Sequence, residues 1–104
     1  MLNFIKNLFG GGGSEALSQA IAEGAFLVDV RTSAEFKSGS VKGAVNIPLD
    51  TISSQLAKFK NKKHIVVFCR SGMRSSQAKA ILEKNGFNNV INGGTWNNVA
   101  SLVN

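Results

Sequence analysis

The sequence predicts an α/β fold: a parallel or mostly parallel sheet with helices on both faces. Three observations carry that expectation. Short β-branched apolar runs alternate with helical patterns along most of the chain. The connections between them are short, which suits strands running in one direction with helices packed back onto the sheet. The chain has 104 residues, 43% of them hydrophobic, enough for one core and one domain but not two.

Each element follows in order. The four glycines at 10–13 cannot hold a fixed backbone cheaply and read as a hinge, so residues 1–13 form an N-terminal arm and residues 14–104 the domain. Within the arm, Leu2, Ile5 and Phe9 share one face of a short helix, which suits docking on the domain or a partner better than a membrane. Ser14 is the expected N-cap of the first helix, with Leu17, Ala20 and Ile21 at helical spacing and Gly24 as its stop. Residues 26–30 (FLVDV) form the first strand, 33–37 a helical fragment, and 44–47 an extended segment ending at Pro48. Residues 51–59 are a helix candidate, and 65–69 (IVVFC) read as a central strand covered on both faces. A helix over 75–85 stops at Gly86, a short strand covers 90–91, and a last helix covers 96–102.

Composition excludes several function classes. One cysteine, Cys69, cannot form an internal disulfide, and one histidine, His64, adds too little for a Cys/His zinc site, so no metal is expected. No run approaches the length of a membrane-spanning helix, and residues 1–9 lack the pattern of a cleaved leader, which predicts a cytoplasmic protein. Twelve Lys and Arg against six Asp and Glu give a net charge of +6, suited to anionic partners. The basic residues are scattered, and the dense group Lys58, Lys60, Lys62 and Lys63 has no aromatic interleaving. It reads as a solvated turn rather than a nucleic-acid footprint.

The chemistry is expected where the strand at 65–69 runs directly into the strongest helix. Cys69, Arg70, Ser71, Gly72, Met73, Arg74 and Ser75 make up that junction. A tight strand-to-helix loop turns backbone N–H groups inward and adds the positive end of the helix dipole, making an anion cradle. A cysteine opening such a loop is favoured as a thiolate, with Arg70 and Arg74 adding positive charge. Gly72 lets the loop turn, and Ser75 or Ser76 caps the helix and donates toward the sulfur. A lone cysteine in an apolar run is ordinarily core packing. One at a strand end followed by Arg, Gly and Arg points to function instead.

These residues, together with Asp29-Val30-Arg31, Glu35-Phe36, Gly39, Gly43-Ala44, Asn46-Ile47-Pro48, Gly93-Gly94 and Trp96, resemble the single-domain rhodaneses, which are thiosulfate:cyanide sulfurtransferases. The resemblance spans residues 14–102, with the motifs in the family's order and spacing. It implies a rhodanese-like fold with a five-stranded, mostly parallel sheet, and a Cys69 that alternates between thiol and persulfide. It also implies a sulfurtransferase rather than a phosphatase. The segment from Cys69 to Arg74 is six residues, whereas the related dual-specificity phosphatases and arsenate reductases carry one more, and a smaller ring of N–H groups suits a single sulfur atom. The general tyrosine phosphatase pattern, with five residues between Cys and Arg, fails too, because only four lie between Cys69 and Arg74.

The implied reaction begins with attack of the Cys69 thiolate on an anionic donor such as thiosulfate and ends with sulfur passing to cyanide or a thiol. Arg74 and Arg70 would pair with the sulfonate oxygens, and Met73 would line the wall. Asp29 and Arg31 are expected to tie the first strand's end to the catalytic loop, with Glu35 pairing Arg31. His64 lies at the wrong end of its strand for a general base, and Trp96 reads as a core or pocket-wall aromatic. The chain departs from the family at Ser40, where histidine is usual, which bears on loop packing. Two other roles share the same loop: a persulfide carrier between protein partners, and a catalytically idle binding module of this fold.

Overall fold

Residues 65–69 place five side chains in succession that avoid water, and all five are buried. Side chains alternate across a strand, so this pattern requires cover on both faces. In a computed structural model, which describes residues 11–103, this segment is strand β3 (Ile65–Cys69) at the interior of a four-stranded sheet. The other strands are β1 (Phe26–Asp29), β2 (Val45–Asn46) and β4 (Val90–Thr95), in the order β2-β1-β3-β4 with every neighbouring pair parallel. Four helices accompany them: α1 (Gly11–Ala22), α2 (Ser33–Lys37), α3 (Met73–Lys84) and α4 (Trp96–Ala100).

The alternation along β3 divides the core in two. Ile65, Val67 and Cys69 face Val28, Ile47, Ile52, Phe59, Ala78 and Leu82, under α3 and the segment that follows β2. Val66 and Phe68 face Leu17, Ala20, Leu27, Val41 and Val99, under α1 and α4. The predicted α/β architecture with helices on both faces is therefore the observed one. The five strands implied by the family resemblance are four among the described residues. The residues between the four strand-forming runs fold as helices and turns, leaving no further β-rich run to pair at an edge.

Other boundaries moved for local reasons. Residues 51–59 were expected as one helix but form two 3₁₀ turns, Leu49–Ser54 and Leu56–Phe59. The Thr51 hydroxyl donates to the Pro48 carbonyl and the Ser54 hydroxyl to the Thr51 carbonyl, contacts that reach three residues back. Gln55, with φ −127°, then separates the two turns. Helix α1 begins at Gly11, three residues before the expected cap Ser14, and so takes in Gly11 to Gly13 of the proposed hinge. The remainder of the proposed arm, residues 1–10, lies outside the described residues. Strand β4 runs on to Thr95 through an irregularity: Val67 pairs with Asn92 and Phe68 with Gly94, which leaves Gly93 as the extra residue. A Cβ at Gly93 would lie 2.6 Å from Val99 Cγ2 and 3.1 Å from Val66 Cγ1, so the bulge needs glycine to let α4 close on the sheet.

Candidate active site

The parallel sheet brings the carboxyl ends of β1, β3 and β4 to one pole, and Cys69 sits there as the last residue of β3, fully buried. The chain then turns within three residues into α3. Gly72 makes that turn possible with φ +95°, and a Cβ on it would come 3.6 Å from Gly94 Cα of β4. The turn points donors back at the sulfur. Gly72 N–H donates to Cys69 Sγ at 3.0 Å and Ser75 N–H at 3.4 Å, while the Ser75 hydroxyl lies 3.5 Å away.

These contacts decide the thiol's acidity. Burial pushes the Cys69 pKa up, but the Ser75 hydroxyl and the N–H groups of Ser75, Gly72 and Ser71 together outweigh it, and the pKa falls below the ordinary thiol value. The arginines expected to add positive charge contribute less: the Cys69 charge couples to Arg74 only as a minor influence. The structure places the Arg70 side chain in solvent and turns Arg74 toward a carboxylate, so hydrogen bonding is the main cause.

That carboxylate is Glu35. Arg74 Nη1 donates to Glu35 Oε1 at 2.7 Å and Nη2 to Oε2 at 3.0 Å, a bidentate pair about one-third exposed. The expected pairing of Glu35 with Arg31 is therefore corrected. Glu35 can serve Arg74 because it is also the N3 residue of a capping box with Thr32, which fixes its orientation at the start of α2. The Arg74 guanidinium, foremost, and the Thr32 N–H hold the Glu35 carboxyl down to about 2. Glu35 in turn raises Arg74 above its ordinary value, with the Cys69 and Asp29 charges adding smaller contributions.

Asp29 and Arg31 form a separate, buried cluster instead of tying β1 to the Cys69 loop. Arg31 Nη2 lies 2.7 Å from Asp29 Oδ2, Nε lies 3.0 Å from both carboxylate oxygens, and Nη2 also donates to the Gly39 carbonyl at 2.6 Å. Ser40, the residue at the usual histidine position, donates its hydroxyl to Asp29 Oδ2 at 2.7 Å. The Arg31 guanidinium lies 5.1 Å from the centre of the Trp96 ring, so Trp96 acts as a wall for this cluster. These contacts brace the loop after β1 against α4 and stop short of the sulfur.

The remaining predicted residues line the mouth. Arg70, Ser71 and Met73 are exposed, Met73 to 73%, so Met73 stands at the rim instead of lining a wall. Beside the loop a hollow of about 240 Å³ is lined by Val30, Thr32, Pro48, Leu49, Asp50 and Arg74. His64 lies at the opposite end of β3, where Nε2 meets Glu23 Oε1 at 2.7 Å, as its position in the sequence implied. Neither Ser75 nor Ser76 caps α3 as expected: the helix already begins at Met73, its cap is Gly72 with no side-chain hydrogen bond, and Ser76 is exposed.

Sequence reasoning missed Asn92. Its Oδ1 accepts from the Ser75 hydroxyl at 2.7 Å and from Gly94 N–H at 2.9 Å, which joins β4 to the Cys69 loop. A polar residue between an apolar strand and a glycine pair was the available signal.

With this geometry established, likeness to known proteins becomes informative. Residues 14–97 match the Rhodanese-like domain. The chain belongs to the rhodanese-like family. Over 81 residues it is 40% identical to a sulfurtransferase of Allochromatium vinosum, covering 76% of each chain. It is 35% identical over 75 residues to the thiosulfate sulfurtransferase PspE of Escherichia coli, covering 70% of this chain and 72% of that one. Among solved structures, the human single-domain sulfurtransferase TSTD1 superposes with a TM-score of 0.69 at 29% identity, covering 81% of this chain and 88% of that one. The parallel sheet flanked by helices is thus that of a rhodanese-like domain.

Proposed function

We propose that this rhodanese-like protein is a sulfurtransferase that carries sulfane sulfur on Cys69. The observation that supports it most is the aim of the loop: a buried sulfur that accepts from Gly72 N–H at 3.0 Å and from Ser75 N–H at 3.4 Å, with the Ser75 hydroxyl 3.5 Å away. Donors converging on one atom stabilise a sulfur anion without neutralising it.

The donor is a small anion such as thiosulfate. The Cys69 thiolate attacks the outer sulfur, the S–S bond of thiosulfate breaks, and sulfite leaves with the electron pair. Cyanide or an external thiolate then attacks the terminal sulfur of the persulfide, and the electron pair returns to Cys69 Sγ. Donor and acceptor supply every electron pair that moves, so no external oxidant, reductant or cofactor is required. The chain holds no second cysteine that could take the sulfur, so the acceptor comes from outside. Arg70 stands exposed at the mouth to meet the sulfonate oxygens, and Arg74, held by Glu35, supplies the fixed positive edge.

Thiocyanate formation from thiosulfate and cyanide tests this reading. Cys69→Ala should lower the rate by roughly a thousandfold or more, and comparable rates in the two proteins would overturn it. A protein donor in place of thiosulfate would show as one added sulfur on Cys69 by mass spectrometry, with poor turnover of free thiosulfate.

A further inference from the structure

Ser75 has one hydroxyl proton and three acceptors within reach. Asn92 Oδ1 lies at 2.7 Å, the Gly72 carbonyl at 3.1 Å and Cys69 Sγ at 3.5 Å. The shortest of these contacts is the one to Asn92. Which way Asn92 points is set by its other partners: Oδ1 accepts from Gly94 N–H at 2.9 Å, while Nδ2 faces the Gly72 carbonyl at 3.4 Å. A flipped carboxamide would set its NH₂ against the Gly94 N–H and its oxygen against the Gly72 carbonyl, so one orientation is held.

The consequence depends on the charge of the sulfur. With Cys69 protonated, a chain forms in which the thiol donates to Ser75 Oγ and Ser75 donates to Asn92 Oδ1, so the Ser75 hydroxyl both accepts and donates. Once the thiol loses its proton, the sulfur can only accept. Ser75 must then swing its proton away from Asn92 to serve the thiolate, or leave an oxygen lone pair facing a sulfur anion.

We propose that Asn92 is a positioning residue that sets the ionisation of Cys69 by competing with its sulfur for the Ser75 hydroxyl proton. Asn92 never touches the sulfur and acts through Ser75. The proposal rests on the reading of Cys69 as a working thiolate, and it runs against intuition, because a residue that braces the loop holds the thiol less acidic than the cradle alone would make it. Among the described residues no other side-chain oxygen accepts from the Ser75 hydroxyl. Among the described residues, the charges at this pole are Arg70 beside Cys69 in the chain, Arg74 from α3 paired with Glu35 from α2, Asp29 from β1 paired with Arg31, and Asp50 across the hollow from Arg74. Strand β4 and helix α4 contribute no titratable side chain.

The test is the pH dependence of Cys69 alkylation by iodoacetamide, followed by mass spectrometry. Asn92→Ala and the near-isosteric Asn92→Leu should each move the thiol titration to lower pH by about 0.5–1 unit, the worth of one hydrogen bond returned to the thiolate. In a Ser75→Ala background the same substitutions should move it by less than about 0.2 unit. A role in bracing alone predicts the opposite sign, because a loosened cradle loses N–H contacts to the sulfur. An unchanged or upward titration in a folded Asn92 variant overturns the proposal, as does a downward shift that persists without the Ser75 hydroxyl. Two variants of different volume keep the test decisive if one fails to fold. Alkylation reads the thiolate whether or not sulfur moves. Loss of the proposed sulfur transfer with this titration order intact would overturn the reaction and leave the role of Asn92 standing.

Discussion

The carboxyl ends of β1 and β3 are neighbours in the sheet, with Asp29 paired to Phe68 in register, yet they are built in opposite ways. At the end of β1 two full charges meet, Asp29 and Arg31, with side chains 0% and 5% exposed and donors from Ser40 and the backbone completing the set. At the end of β3 one sulfur is met by N–H groups and a hydroxyl, and exposed Arg70, Ser71 and Met73 surround it. A closed ion pair has no valence left for a ligand and holds shape. Dipoles aimed at one atom leave that atom able to change its charge and its bonds, which a transfer site requires. The Arg74–Glu35 pair stands between the two cases, bidentate like the first but about one-third exposed and beside the sulfur.

Breaking the closed pair should show the largest effect. Asn at position 29 keeps the shape but strands the Arg31 charge, so Asp29→Asn should lower unfolding stability by about 3 kcal/mol in urea denaturation. A loss below about 1 kcal/mol would mean that water reaches the pair and that the two strand ends differ less than their geometry states.

The intermediate pair should show the next effect, in binding rather than in stability. Gln at position 35 can keep the capping box while removing the charge. Glu35→Gln should therefore lower the KM for thiosulfate several-fold at low salt, with the effect shrinking as ionic strength rises. A rise in KM would mean that Glu35 serves to hold Arg74 in place. The pair also contributes to pH dependence. The Glu35 carboxyl titrates at about 2 when folded against 4.5 ordinarily, so its contribution to stability is full above 4.5 and is lost as pH falls from there toward 2. Melts of Glu35→Gln and the wild-type protein should converge across that window.

The smallest effect should come from Ser40. Ser40→Ala removes one of the donors to Asp29 Oδ2 and should cost about 1 kcal/mol by thermal or urea unfolding, with the alkylation rate of Cys69 unchanged. A changed alkylation rate would show that the two strand ends communicate.

Much of this molecule was legible before its structure. The four strand-forming runs, the helix after Cys69 and the loop between them are written in local patterns, where β-branched runs and helical spacing act within a few residues. The 3₁₀ turns at 49–59 were not, because apolar spacing there fits a helix while hydroxyls reaching back three residues tighten the backbone. The bulge at Gly93 was hidden for another reason: it answers to Val66 and Val99, which approach from a neighbouring strand and from α4.

The sequence by itself determined the order of strands and helices, the single thiol, the basic balance and the placing of Cys69 at a strand-to-helix junction. The tertiary structure alone decided the partners. Arg74 meets Glu35 across 39 positions, Ser40 meets Asp29 across 11, and Ser75 meets Asn92 across 17. Each side chain had several chemically equivalent partners along the chain, and proximity in sequence favoured the wrong one for Glu35. The order β2-β1-β3-β4 brought particular strand ends together, and hydrogen bonds, which act over about 3 Å, formed only where it did so.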